Sequence, residues 1–174
     1  VGGFDAGAMF LTHWLTSVAH LLKITPKEIQ KLFDPGLVQA GEMGANYSTD
    51  DLVVAQQQRR MLGHQYEMFF QKYDLLLTPT VAVLPFDVGT HAPLDEKGEP
   101  NNQWTPFTYV FNLTRQPAIS VPCGVSKSGL PIGLQIVGGL YRDTQVLRAA
   151  RAYAHAHPVR LPQLPVAKAS SRSA

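Results

Sequence analysis

The chain has 174 residues, enough to bury a core and about the length of one domain. Hydrophobic residues make up 45% and charged ones only 16%, below the roughly 25% usual in soluble domains, so an unusual share of the surface is expected to face protein. The 15 basic and 13 acidic residues give a formal charge of +2 without a basic stripe, which argues against nucleic acid, and one cysteine rules out an internal disulfide framework.

No apolar run reaches the ~18 residues that cross a bilayer, and no charged segment followed by a cleavage site opens the chain. A soluble, cytoplasmic protein without membrane contact is expected. The first residue is Val1 and not methionine, which leaves trimming, cleavage or omission of an earlier segment open.

Phe4, Ala8, Leu11, Leu15, Val18 and Leu22 are spaced alternately four and three apart, which predicts a first helix with one apolar face. His13 and His20, seven apart on that helix, lie too far from each other for one metal ion. Thr25, Pro26 and Glu28 read as an N-cap, a first-turn proline and a capping carboxylate, so a short second helix is expected, ending by Asp34-Pro35-Gly36. Residues 37–47 stay ambiguous, with a further short helix broken at Gly41 or Gly44 as one reading.

Ser48 with Asp51 forms a capping box, and Leu52, Ala55, Leu62, Tyr66, Phe69 and Tyr73 then mark one stripe of a long helix. Arg59 falls on the stripe, where its methylenes can pack while the guanidinium reaches outward. Leu75 to Thr78 reads as a strand buried on both faces, and residues 84–103, rich in Pro and Gly, as a long loop. Ala118–Val121 and Ile132–Val137 read as the arms of a hairpin. Asp143 is expected to cap a last helix with Val146, Leu147, Ala150, Tyr153 and Ala154 inward, stopped by Pro158 and followed by an irregular tail.

The order is thus helices over 1–73, then strands, a long loop and a closing helix over 74–157, then the tail 158–174. Strands this apolar need layers on both faces, and three strands with one following helix do not readily supply them. The sheet is therefore expected to continue in chain not present here.

Tyr73-Asp74 with Thr78-Pro79-Thr80, Asn112-Leu113-Thr114 with Pro117 to Gly124, and Gly129 to Gly138 make three blocks that together resemble the C-terminal half of the amidase signature family. The resemblance implies an α/β fold, a mixed β-sheet covered by helices, incomplete without the N-terminal half. It implies an intact protein that hydrolyses the carbon–nitrogen bond of a small amide substrate, with no cofactor and no metal. The family's nucleophilic serine, second serine and lysine lie in a Gly/Ser-rich stretch that this sequence lacks, so no catalytic residue is assigned here. Ser126-Lys127-Ser128 has the right residue types, but neighbouring turn residues point apart, whereas a relay needs contacts of ~2.6 to 3.2 Å.

The resemblance places Trp104, Phe107, Tyr109 and Phe111, on the loop leading into Asn112, as the lining of a substrate (acyl) pocket; plain core aromatics are the alternative. Cys123 reads as a small packing residue beside Pro122, with no neighbouring His or helix start to activate it. Arg115 stands where the family has Gly, which would cost about 1 kcal/mol or more if that position needs a positive φ. The chain also resembles the A subunit of glutamyl-tRNA amidotransferase. That group reads glutamine with an Arg before the long helix and an Asp before the Asn-Leu motif, whereas here no Arg occurs in 35–46 and Thr105 stands near the Asp position, which favours a general amidase.

The expected partners are the N-terminal half of the same enzyme and a small amide, with a homo-oligomer left open. A non-catalytic binding or assembly module is the competing reading, and a metal site at His155 and His157 is disfavoured because residues two apart on a helix do not face each other.

Overall fold

The computed structural model describes residues 3–90, 92–98, 101 and 104–159; most of the tail at 158–174 lies outside the described residues. The elements run α1 (Ala6–Ile24), α2 (Lys27–Gln30), α3 (Pro35–Gly44), α4 (Thr49–Phe70), β1 (Leu75–Pro79), α5 (Tyr109–Thr114), β2 (Ala118–Val125), β3 (Pro131–Gly138) and α6 (Asp143–Ala156).

Asp5 starts α1 by accepting the Ala8 amide at 2.9 Å. The buried face of α1 carries Met9, Leu15 and Val18, while Leu11 is 44% exposed. The stripe is thus rotated from the sequence reading, because α1 must meet α3 and α4 together. Thr25 belongs to the end of α1 and not to the start of α2: its hydroxyl donates to the Leu21 carbonyl at 2.7 Å. Asp34, accepting the Gly36 amide, caps α3 with Pro35 in its first turn.

α3 runs through Gly41 and ends at Gly44, one of the two breaks the sequence offered, and both glycines also let it touch α1. A Cβ on Gly41 would fall 2.2 Å from Leu22 Cδ1, and one on Gly44 only 2.0 Å from the Leu15 carbonyl oxygen. Leu15, Val18 and Ala40 then form the α1/α3 core.

The capping box of α4 is present in full, with Ser48 and Asp51 bonded reciprocally. Those bonds from Ser48, the side-chain one leading, hold the Asp51 carboxyl below its ordinary range. The buried residues of α4 are Ala55, Leu62, Tyr66 and Phe70; Tyr73 lies past its end and is exposed. Arg59 does not reach into solvent alone: its Nε donates to the Leu113 carbonyl near the end of α5 at 2.5 Å.

The sheet order is β1-β3-β2, with β3 antiparallel to both neighbours. On one face Leu76 and Val137 join Met9, Leu62, Tyr66, Phe70 and Phe111. On the other, Val121 and Ile136 pack with Ala150, Leu134 and Tyr153. The layers expected to be missing are therefore supplied within the chain: α1, α4 and α5 turn back over one face while α6 covers the other. The edges are different, since among the described residues neither β1 nor β2 has a partner on its outer side. β1 is also less buried than its run of leucines suggested, with Leu77 58% exposed.

The hairpin is as read, but β2 runs through Pro122 to Val125 and does not stop at the proline. A register shift between Pro122 and Gly124 makes Cys123 the extra residue of a β-bulge. Pro122 is tolerated because β2 is an outer strand. In α6, Asp143 is the first helical residue and not its cap, and Leu147 points outward at 59% exposure.

Arg115 follows α5 at φ 67° and ψ 20°, the left-handed conformation suited to glycine, with its amide on the Phe111 carbonyl at 2.7 Å. Replacing it with glycine removes a Cβ clash worth about 1 to 2 kcal/mol, partly offset by the greater freedom of an unfolded glycine. Arg115→Gly is expected to stabilise the chain by about 1 kcal/mol in urea unfolding.

Gly44→Ala has the opposite sign. It gains about 1 kcal/mol of helix propensity, yet its methyl meets a backbone oxygen that cannot rotate away. A net loss of about 2 kcal/mol is expected in the same assay.

His13, between α1 and α4, has its pKa lowered, first by burial and then by the Arg59 guanidinium, against a weaker opposing bond to the Ala55 backbone. Its Nε2 is buried without a partner. The unfolded chain therefore binds this proton more readily than the folded one, so stability falls as pH drops below about 6.5 and levels out beneath the folded value. His13→Gln is expected to flatten that part of the stability profile relative to the parent chain.

Candidate functional site

Strand alternation puts a polar strip on the sheet face that α4 and α5 cover only in part. Thr78 lies opposite Gln135, which lies opposite Ser120, and Thr80 follows β1 with its amide on the Gly133 carbonyl at 3.0 Å. Gln135 is 5% exposed, and its Nε2 donates both to Thr78 Oγ1 at 2.9 Å and to the Phe107 carbonyl at 2.7 Å. One buried amide thus ties the aromatic loop to the sheet.

Thr80 and Ser120 place their hydroxyls 2.7 Å apart across β3. The glycine between them is required: a Cβ at Gly133 would stand 2.8 Å from both oxygens. Within such a pair one hydroxyl donates to the other, leaving one O–H and several lone pairs for a ligand. The pair suits hydrogen bonding to an amide or carbonyl group. Activation as a nucleophile needs a base within hydrogen-bond reach, and no base is bonded to either hydroxyl among the described residues.

The four aromatics from the sequence reading take different places. Trp104 is half-buried, its ring edge-on to Phe86 at 5.3 Å, and its carbonyl accepts the Ala82 amide. Phe107 holds the Gln135 contact through its backbone. Tyr109 stacks on Phe10 of α1 at 5.1 Å; burial, helped by the Asp5 carboxylate, raises its phenol pKa, so it stays a neutral donor. Phe111 is only 4% exposed and packs edge-on to Tyr66 at 5.4 Å in the main core. Trp104 and Phe107 adjoin segments of the polar strip, whereas Tyr109 and Phe111 face α1 and α4.

The remaining sequence candidates sort simply. Ser126 and Ser128 bond to each other at 2.8 Å inside the β2–β3 turn, where Ser126 also accepts the Leu130 amide, and Lys127 joins neither. Cys123 Sγ lies 3.5 Å from the Ile132 carbonyl, across the hairpin. His157 lies beside the Tyr153 ring at 5.0 Å, and among the described residues no three His, Cys, Asp or Glu side chains gather as metal ligands. No helix among the described residues is long and apolar enough to cross a membrane.

Sequence reasoning missed Thr80, Ser120 and Gln135. Their signal was nevertheless there: polar residues placed within or next to strands that are otherwise apolar.

Residues 14–147 match the family described as Amidase. The chain is 40% identical over 96 residues to a glutamyl-tRNA(Gln) amidotransferase A subunit of Clostridium acetobutylicum, spanning 54% of this chain and 19% of that protein. It is 36% identical over 137 residues to the corresponding protein of Synechococcus sp. strain CC9902, spanning 76% of this chain and 26% of that protein.

Among solved structures, a bacterial aryl acylamidase of the amidase signature family aligns with 88% of this chain and 33% of its own, at TM-score 0.69 and 27% identity. The glutamyl-tRNA(Gln) amidotransferase A subunit of Thermotoga maritima aligns with 92% of this chain and 36% of its own, at TM-score 0.67 and 25% identity. The chain therefore spans about a third of the solved structures that share its fold, and less of the curated relatives. It belongs to the amidase signature family.

Proposed function

We propose that this chain is the C-terminal part of one amidase domain, whose whole protein hydrolyses the carbon–nitrogen bond of a small amide in the cytoplasm. The observation that carries the reading is the family match over residues 14–147 in a chain covering only a third of the fold. The free edges of β1 and β2 support it, because a parent sheet continues from such edges. So do the exposed Leu11, Trp14, Met43, Met61 and Leu77, which favour cover by protein.

In this reading the N-terminal half of the same enzyme brings the serines and the lysine. The present chain brings the cleft wall: Trp104 and Phe107 beside the acyl group, Tyr109 next to them, and the Thr80–Ser120 pair toward the polar end of the amide. Phe111 acts from behind the wall, holding α5 against α4. No cofactor or metal is assigned.

The test compares ammonia or amine release from simple amides by this chain and by the whole protein. The whole protein is expected to turn over and the chain alone to be silent. Robust turnover by the isolated chain, surviving repurification and unchanged in Cys123→Ala, would overturn the reading.

Within the whole protein, Trp104→Ala is expected to raise KM for aromatic acyl amides about tenfold with kcat within about twofold, as loss of uniform binding does. Phe111→Ala instead lowers stability by about 3 to 5 kcal/mol, through an emptied core. Steady-state kinetics and urea unfolding together separate the two roles.

A second reading, an amidotransferase of the glutamyl-tRNA type, is favoured by the names of the curated relatives. Thr105 weighs against it: the residue near the expected acid is a threonine whose carbonyl accepts the Thr108 amide in the turn before α5. Glutamine hydrolysis by the whole protein, in place of simple amide hydrolysis, would decide for the amidotransferase. A binding or assembly module predicts a stable complex of the isolated chain on sizing with no turnover in the whole protein, whereas a homo-oligomeric amidase predicts self-association with turnover kept.

A further inference from the structure

Away from the polar strip, the middle of α4, the end of α5 and the start of α6 enclose an open cleft of about 750 Å³. Three guanidinium side chains line it: Arg59 and Arg60 from α4, and Arg115 from the turn after α5. Two carboxylates, Glu67 and Asp143, also line it, and Glu67 sits 3.5 Å from His64. Among the described residues no carboxylate comes within salt-bridge distance of any of the three arginines.

We propose that this cleft is a binding site for a small oxyanion, a phosphate or a carboxylate group. Three arginines against two carboxylates leave the lining with one positive charge in excess, and with none of the arginines in a salt bridge among the described residues, an oxyanion would supply the partner that matches a guanidinium fork. Arg59 is held from behind by its bond to the Leu113 carbonyl, so one fork is fixed in place before any ligand arrives. The backbone supplies a second, independent observation. Arg115 keeps a left-handed conformation at φ 67° where glycine would be unstrained, and that strain delivers the third cation to the cleft rim. Strained residues of this kind gather at binding sites. The cleft is open to solvent, so affinity is modest, with a dissociation constant of about 1 mM at low ionic strength.

The inference does not depend on amide hydrolysis, and its test uses no turnover. The purified chain, in low-salt buffer free of phosphate, is titrated with inorganic phosphate and separately with acetate, against chloride at matched ionic strength, and followed by amide NMR. Saturable shifts clustered around Arg60, Arg115 and Asp143 are expected with phosphate, acetate or both. Saturation by phosphate alone assigns a phosphorylated ligand, and saturation by acetate alone a carboxylate.

Arg60→Gln and Arg115→Gly are each expected to weaken binding at least about fivefold. Arg115→Gly is expected to stabilise the fold, and urea unfolding of the variant beside the titration separates a loss of binding from a loss of structure. Shifts no greater than those from chloride, or equal affinity in both variants, would overturn the proposal.

Discussion

Val137 and Ile136 are neighbours in β3 that point to opposite faces of the sheet, and both are almost wholly buried, at 0% and 2% exposure. That pair sets the architecture. A strand buried on both faces needs a helical layer on each, and the two layers come from distant parts of the chain. Met9, Leu62, Tyr66 and Phe111 close over Val137, and Ala150 closes over Ile136. Removing β3 would separate both cores at once, whereas β2 contributes to the Ile136 side alone and β1 only one partly buried leucine to each, Leu76 and Leu75.

The packing around that strand is tight where helices meet and loose at the rim. Gly44 brings α3 within contact of the α1 backbone, and Gly138 lets α6 approach β3, where a Cβ would fall 2.6 Å from Val146. The outer strands, by contrast, keep unpaired edges among the described residues, and large apolar side chains on α1, α3 and α4 face outward. A small unit with a complete core and an unfinished boundary agrees with membership of a family whose solved members are about three times as long.

Arg59 and Gln135 show how two side chains join elements far apart in sequence. Arg59 reaches 54 residues along the chain to the end of α5, and Gln135 reaches 57 residues back to Thr78 and 28 back to Phe107. Between them they fix both ends of the segment carrying the aromatics. Gln135 sets how the loop leans on the sheet, while Arg59 sets the end of α5 from which Arg115 departs in its strained conformation. The polar strip and the cationic cleft thus share one support, the short helix α5.

Local chemistry was legible without coordinates. The capping box at Ser48 and Asp51, the long periodic helix, the hairpin and the three family blocks each depend on residues close in sequence, whose spacing reports their partners directly. The backbone demand at Arg115 was legible only through the family resemblance, which has glycine at that position. Tertiary structure alone decided the rest. Gly41 reads as a break until α1 stands against it, Thr25 reads as a helix start until Leu21 takes its hydroxyl, and Leu77 reads as buried until β1 proves to be an outer strand. The Thr80–Ser120 pair and the gathering of Arg59, Arg60 and Arg115 depend on contacts across dozens of residues, which no local spacing encodes because only the folded register of strands and helices brings those groups together.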